Sequence, residues 1–195
     1  MPVKLLQKNL SFIPRLPFED ALLVGLILIT FLKHADRLKI ACLAQLVNVI
    51  APIMTDNDGG AFRQSIYYPF LHASRYGRGI ALTPVISSTC HDTSRHGEVT
   101  DIDAAAVYNE EKDEVTIFAV NRCAGQDIPF EADLNSFEGY RVIEYPAMEN
   151  DDMKAVNSLT GEKVTPYSKK EYQMEDGIFT TIMKSCSWNV IRLGK

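Results

Sequence analysis

Cys90 and His91, followed by His96, Asp101 and Asp103, are the densest gathering of metal-type ligands in the chain. Zinc sites draw their ligands from tightly spaced pairs such as CxxC or HxxxH, and this run contains neither. It lies in a polar stretch ahead of an apolar one, so a solvated loop is the plainer expectation and no metal ligand is assigned. Glu19 and Asp20 are paired carboxylates of the kind a hydrolase uses as acid and base. Neighbours at the start of a helix point apart, however, and their charges suit its positive end better. Tyr67, Tyr68 and Tyr76 could stack on sugar rings, but on a helix packing is the simpler role. Cys42, Cys90, Cys123 and Cys186 are widely spaced. Their even number leaves two disulfides formally open, yet reduced thiols are expected in a chain without a dense cysteine framework.

The elements that would position such residues can be read from composition and pattern. The chain has 195 residues, 46% apolar and 23% charged, as a folded soluble domain does. Twenty basic against 25 acidic residues give a net charge of −5, which offers nucleic acid no broad positive face. Ala21–Leu32 (ALLVGLILITFL) is the most apolar stretch. It is too short for a bilayer, which takes roughly 20 residues. Lys4, Lys8 and Arg15 ahead of it imitate a signal peptide, but Glu19 and Asp20 directly precede the apolar run and no small-x-small cleavage pattern follows. A buried helix is expected, basic at its end through Lys33 and His34. Being apolar on nearly every face, it must be covered on more than one side.

Leu38–Val49 (LKIACLAQLVNV) reads as a strand buried on both faces, as in a parallel sheet. A loop follows around Pro52 and Asp56–Gly60, then a second helix over Tyr67–Arg75, ended by Gly77 and Gly79. Helix, strand, helix is a piece of a (β/α) barrel, which needs eight such units to close. From Ile80 the grammar changes. Ala104–Tyr108, a turn over Asn109–Asp113 and Glu114–Asn121 predict a hairpin, and Tyr140–Tyr145, Gly177–Lys184 and Ser187–Leu193 predict further strands. Asp151–Gln173 is polar and predicts a long loop or a poorly ordered excursion. The expected fold class is mainly β: an antiparallel sandwich over 80–195, preceded by an α/β segment over 18–79. The sandwich is expected to fold without the front segment.

Phe18–Gly25 (FEDALLVG), His34–Ile53 (HADRLKIACLAQLVNVIAPI), Tyr67–Gly79 (YYPFLHASRYGRG), Ala106–Asn121 (AVYNEEKDEVTIFAVN) and Ser187–Gly194 (SWNVIRLG) carry, in order, a resemblance to the α-L-arabinofuranosidases of glycoside hydrolase family 51. It covers residues 18 to 195 and leaves 1–17 unmatched. The resemblance implies a TIM barrel followed by a jelly-roll-type β-sandwich. In those terms Phe18–Ala35 resembles the seventh barrel helix, Leu38–Leu43 the eighth strand and Tyr67–Arg75 the eighth helix. It also implies retaining removal of terminal arabinofuranosyl groups from arabinan and arabinoxylan oligosaccharides, with no metal and no cofactor, in a cytoplasmic protein.

Retaining glycosidases need two carboxylates about 5–5.5 Å apart, one as acid/base and one as nucleophile. The resemblance places both on glutamates at the fourth and seventh barrel strands, upstream of the first matching residue here. The nucleophile normally stands in a Glu-Trp-Asn context, whereas the single tryptophan, Trp188, follows Ser187. No catalytic residue is therefore assigned, and a truncated chain, inactive by itself, is expected. Gln45 matches the family glutamine that hydrogen-bonds the arabinose ring, and is the one substrate-binding residue assigned. Its structural alternative is to satisfy backbone groups at a strand end; Asn48 is read as structural. A stand-alone carbohydrate-binding or assembly module remains the rival reading. Left without barrel neighbours, the Ala21–Leu32 helix would expose an apolar patch, so a homo-oligomer is expected; no nucleic acid and no membrane partner is.

Overall fold

The structure is a computed structural model that describes residues 15–195 apart from Asn57. Helix α1 spans Phe18–Lys33 and α2 spans Tyr67–Tyr76, separated by the short strands β1 (Ile53–Thr55) and β2 (Ala61–Arg63). The strand-rich part follows as β3 (Ile80–Leu82), β4 (Cys90–Thr93), β5 (Gly97–Thr100), β6 (Ile102–Asn109), β7 (Glu114–Asn121), β8 (Ile128–Asp133) and β9 (Arg141–Glu144). It ends with β10 (Pro146–Met148), β11 (Tyr167–Ser168), β12 (Tyr172–Glu175), β13 (Ile178–Met183) and β14 (Ser187–Gly194). The main sheet runs β11-β10-β14-β7-β6-β3, with β9 also on β14. A second sheet, β12-β13-β8, faces it.

The hairpin β6–β7 is the centre of the fold. Its two strands pair without a break from Ile102↔Asn121 to Asn109↔Glu114, and β14 pairs all along β7 from Ser187↔Asn121 to Gly194↔Glu114. Side chains on such strands alternate between two faces. Ala104, Ala106, Val115, Ile117, Ile191 and Leu193 point into one core, where Phe179 and Met183 of β13 meet them. Ala105, Val107, Phe118, Val120, Trp188 and Val190 point into a second core on the opposite face. An antiparallel sheet commonly leaves one face to water. Here neither is, and β7 and β14 are buried along almost their whole length.

Helix α1 closes the second core. Phe18, Ala21, Leu22 and Ile29 pack onto the sheet, with Tyr68 of α2 alongside. Gly25 lets the helix approach: a Cβ there would stand 2.6 Å from Cε3 of Trp188. Trp188 is fully buried and donates its indole N–H to Nδ1 of buried His72 at 3.0 Å. The apolar helix is thus not left bare, as a lost barrel would imply; the sandwich itself covers one side. Leu23, Ile27 and Phe31 remain exposed on the other.

One further expectation is corrected and another narrowed. Leu38–Val49 is not a strand; Val47 makes a single parallel bridge to Ile53, and the rest is coil. A parallel strand lives on ladders with neighbours on both sides, and none of the described residues supplies them. Asp151–Gln173 is the long loop of the two readings, carrying the short strand β11, and not a loose excursion. The Asn157 amide donates to the carbonyls of Arg63 and Val164, both at 2.9 Å, while its oxygen accepts from Val164 N at 2.7 Å. Carbonyls of the same loop cap α1, taking the Phe18 and Glu19 amides at 3.0 and 3.1 Å, donors that have no partner inside a helix. Of the segment 1–17, expected to fall outside the family resemblance, residues 1–14 lie outside the described residues.

Candidate functional site

The segment from Leu38 to Ile50 is where the molecule offers unused groups. Ile40 is 80% exposed and Leu46 72%, and Gln45 between them is exposed too. The coil is anchored at its far end. Asn48 N donates to the Ile53 carbonyl at 2.8 Å. The Asn48 side chain takes the Thr55 amide at 2.8 Å and donates to the Thr55 hydroxyl at 2.9 Å. Asn48, φ 63° and followed by Val49 at φ 60°, therefore holds the β1 end of the segment in place, the structural role expected of it. Gln45 stands three residues before that anchor, its amide carrying two donors and an oxygen acceptor that suit a sugar's hydroxyls and ring oxygen.

The other conspicuous side chains prove structural. Glu19 pairs with Lys154 and Asp20 lies beside it in the first turn of α1, far from a facing carboxylate pair. Tyr68 is buried and donates its hydroxyl to Glu162 Oε2 at 2.7 Å, and the Arg63 guanidinium packs 5.8 Å from the centres of both the Tyr67 and Tyr68 rings. Burial, then the bond to Glu162, holds the Tyr68 phenol far above its ordinary value. Arg192 lies 4.2 Å over the Tyr76 ring and bridges Glu114 and Glu144, both at 2.7 Å. These three tyrosines lock α2 to the sheet.

The cysteine–histidine run forms its own hairpin, β4–β5. Of its polar groups only His91 and Asp101 meet, Nδ1 to Oδ1 at 2.6 Å. Hydrogen bonds from Thr89 and then His91 hold the Asp101 carboxyl below the usual range. Cys90, His96 and Asp103 are not brought to them, and among the described residues no three such side chains gather as a metal site. The four thiols are free, and among the described residues no helix is long and apolar enough to cross a membrane.

A two-sheet antiparallel domain backed by two helices is shared with the C-terminal portion of a class of solved glycoside hydrolases. Residues 14–187 match the family described as the alpha-L-arabinofuranosidase C-terminal domain, and the chain belongs to it. An intracellular exo-alpha-(1->5)-L-arabinofuranosidase of Acetivibrio thermocellus is 59% identical over 179 residues, 91% of this chain and 36% of that protein. One from Bacillus subtilis is 52% identical over 178 residues, 91% of this chain and 35% of its own length. The solved family 51 alpha-L-arabinofuranosidase of Bifidobacterium longum superposes with a TM-score of 0.87 at 35% identity, over 92% of this chain and 36% of that one. The chain thus spans about a third of the length of the relatives it matches.

Proposed function

We propose that this chain forms the C-terminal third of an intracellular α-L-arabinofuranosidase, removing terminal arabinofuranosyl groups from arabinan or arabinoxylan oligosaccharides with retention, and needing no metal or cofactor. The observation that carries the reading is the 59% identity to an exo-(1->5)-arabinofuranosidase across 91% of the chain. The exposed coil at 38–50 supports it: paired on both sides by strands of a barrel, it would bury Ile40 and Leu46 and bring Gln45 to the barrel's carboxyl-end face, where active sites of that fold form. Gln45 then hydrogen-bonds the sugar. It cannot replace the chemistry, since an amide neither protonates a leaving group nor forms a glycosyl ester.

The 195 residues alone should leave an aryl α-L-arabinofuranoside unhydrolysed above background, because an acid/base group alone is worth about 10²–10⁴ in rate and the nucleophile is a further requirement. Adding a polypeptide equivalent to the preceding two thirds of the Acetivibrio relative should restore turnover, and Gln45→Ala in the mixture should lower it by about tenfold or more, the loss of a buried hydrogen bond in the transition state. Turnover by the isolated chain that a substitution within it abolishes would sink the proposal.

A further inference from the structure

At the tip of the β6–β7 hairpin, beside the β8–β9 connection, lies an open cleft of about 760 Å³. Tyr108, Asp113, Phe137, Gly139, Tyr140 and Lys195 line it. Asp113 takes φ 53°, a left-handed conformation that Asp tolerates better than most side chains. Its Oδ1 accepts the Tyr108 hydroxyl at 3.1 Å and that of Tyr140 as well, while Lys195 Nζ stands 3.7 Å from Oδ2. The bond from Tyr140 in particular, with those from Tyr108 and Lys195, holds Asp113 below the usual carboxylate range. The Phe137 ring leans against both tyrosines, its centroid 5.8 Å from Tyr108 and 5.3 Å from Tyr140, tilted by 49° and 50°.

A hydrophobic plug for the end of the core would need no ion here. Both phenol protons are spent on one carboxylate oxygen, so the rim presents acceptors: Oδ2 and the oxygen of half-buried Tyr108. One mobile ammonium, with 64% of the Lys195 side chain exposed, is the lone cation of the cleft lining. Aromatic faces next to a few converging acceptors suit a ligand with an apolar C–H face and several hydroxyl donors. An anionic ligand would meet Asp113 and the neighbouring Glu138. A hard cation would want several carboxylates converging, and Oδ1 is already occupied by phenols.

We propose that this cleft is a binding subsite for a neutral saccharide unit, which donates hydroxyls to Asp113 Oδ2 and the Tyr108 oxygen and lays its C–H face on Phe137. The choice of an arabinofuranosyl unit as ligand rests on the reading given under Proposed function. None of the residues involved belongs to the 38–50 segment, so an oligosaccharide chain has a second point of hold on the sandwich.

Titration of the isotope-labelled 195-residue chain with α-1,5-linked arabinotriose, followed by amide chemical shifts up to about 20 mM, covers a millimolar site. Saturable shifts are expected at Tyr108, Asp113, Gly139, Tyr140 and Lys195. Asp113→Asn, of equal size, should weaken binding at least about tenfold, as a polar site losing its acceptor does. If Asp113→Asn lowers the melting temperature too far to be read, Phe137→Leu, which removes the aromatic face of a half-buried ring, should weaken binding by about threefold instead. Maltotriose binding at the same amides would support the saccharide class. Overturning results are no saturable shift, shifts elsewhere, shifts indifferent to both variants, or tighter binding of an acidic trigalacturonate. Hydrolysis plays no part in this readout, so a failed reconstitution of activity leaves it standing, and its failure leaves the enzyme reading standing.

Discussion

His72 accepts the indole proton of Trp188 from inside the second core, and only a neutral imidazole can do so. Burial pushes its pKa from 6.5 down to about 4, Arg75 adding to the fall and Glu144 opposing it. The unfolded chain therefore takes up the proton first as the solution is acidified. The contribution of His72 is complete above about pH 6.5, shrinks as pH falls, and levels off below about 4, with a ceiling of ~3 kcal/mol. Urea melts followed by circular dichroism should show this loss between pH 7 and 4. His72→Asn, which keeps an acceptor near Nδ1 and cannot charge, should melt with a flatter dependence over that window; equal slopes for the two proteins would refute the assignment. Nothing in the sequence marks His72, because its partner lies 116 residues away. The proposed role of Gln45 rests on family likeness alone, for a lone glutamine in an apolar run has no signature of its own.

Gly25 fixes how closely a helix can lie on a sheet. Gly25→Ala gains helix propensity of up to about 1 kcal/mol, yet its methyl would collide with a fused ring that is wedged against Phe118 and cannot retreat. Overpacking of this kind costs about 1–3 kcal/mol, so a net loss of stability is expected, seen as a lower urea midpoint with unchanged slope. A gain in midpoint would mean that α1 rides higher than 2.6 Å allows. Both helices and the β6–β7 hairpin were legible, since period, end charges and turn residues all act locally. Leu38–Val49 was not, because its apolar pattern is that of a strand while the ladders that would make it one are non-local. Asp151–Gln173 read correctly as a loop, but its polarity hides Ala155 and Val164, which share the core with α1, and the buried Asn157 that ties the loop down.

At the scale of the whole molecule, α1 has one side covered by the sheet and one side open to water. Leu23, Ile27 and Phe31 on the helix, with Ile40 and Leu46 on the coil, remain open to water. Two copies that bury these side chains against each other would recover about 25 cal/mol for each Å² of apolar surface. Static light scattering should show association that grows with concentration, and Ile27→Lys should weaken it, since a buried ammonium without a partner is costly. A monomer throughout the micromolar range would argue that the exposed stripe is too narrow to hold a dimer. The same stripe should be occupied once a barrel partner binds, so association and restored turnover are expected to compete. The α/β and sandwich regions are not independent in this arrangement: Phe18, Ala21 and Tyr68 share one core with Trp188 and Phe118.

That shared core contains the chain's single tryptophan. Its indole, sealed by α1, next to a histidine and stacked on Phe118 at 6.0 Å, emits from one defined environment. Any event that lifts the helix, whether ligand, acid or partner, should therefore be reported by a shift of emission to longer wavelength and by easier quenching. The molecule carries its own optical gauge of helix docking, with no label to add.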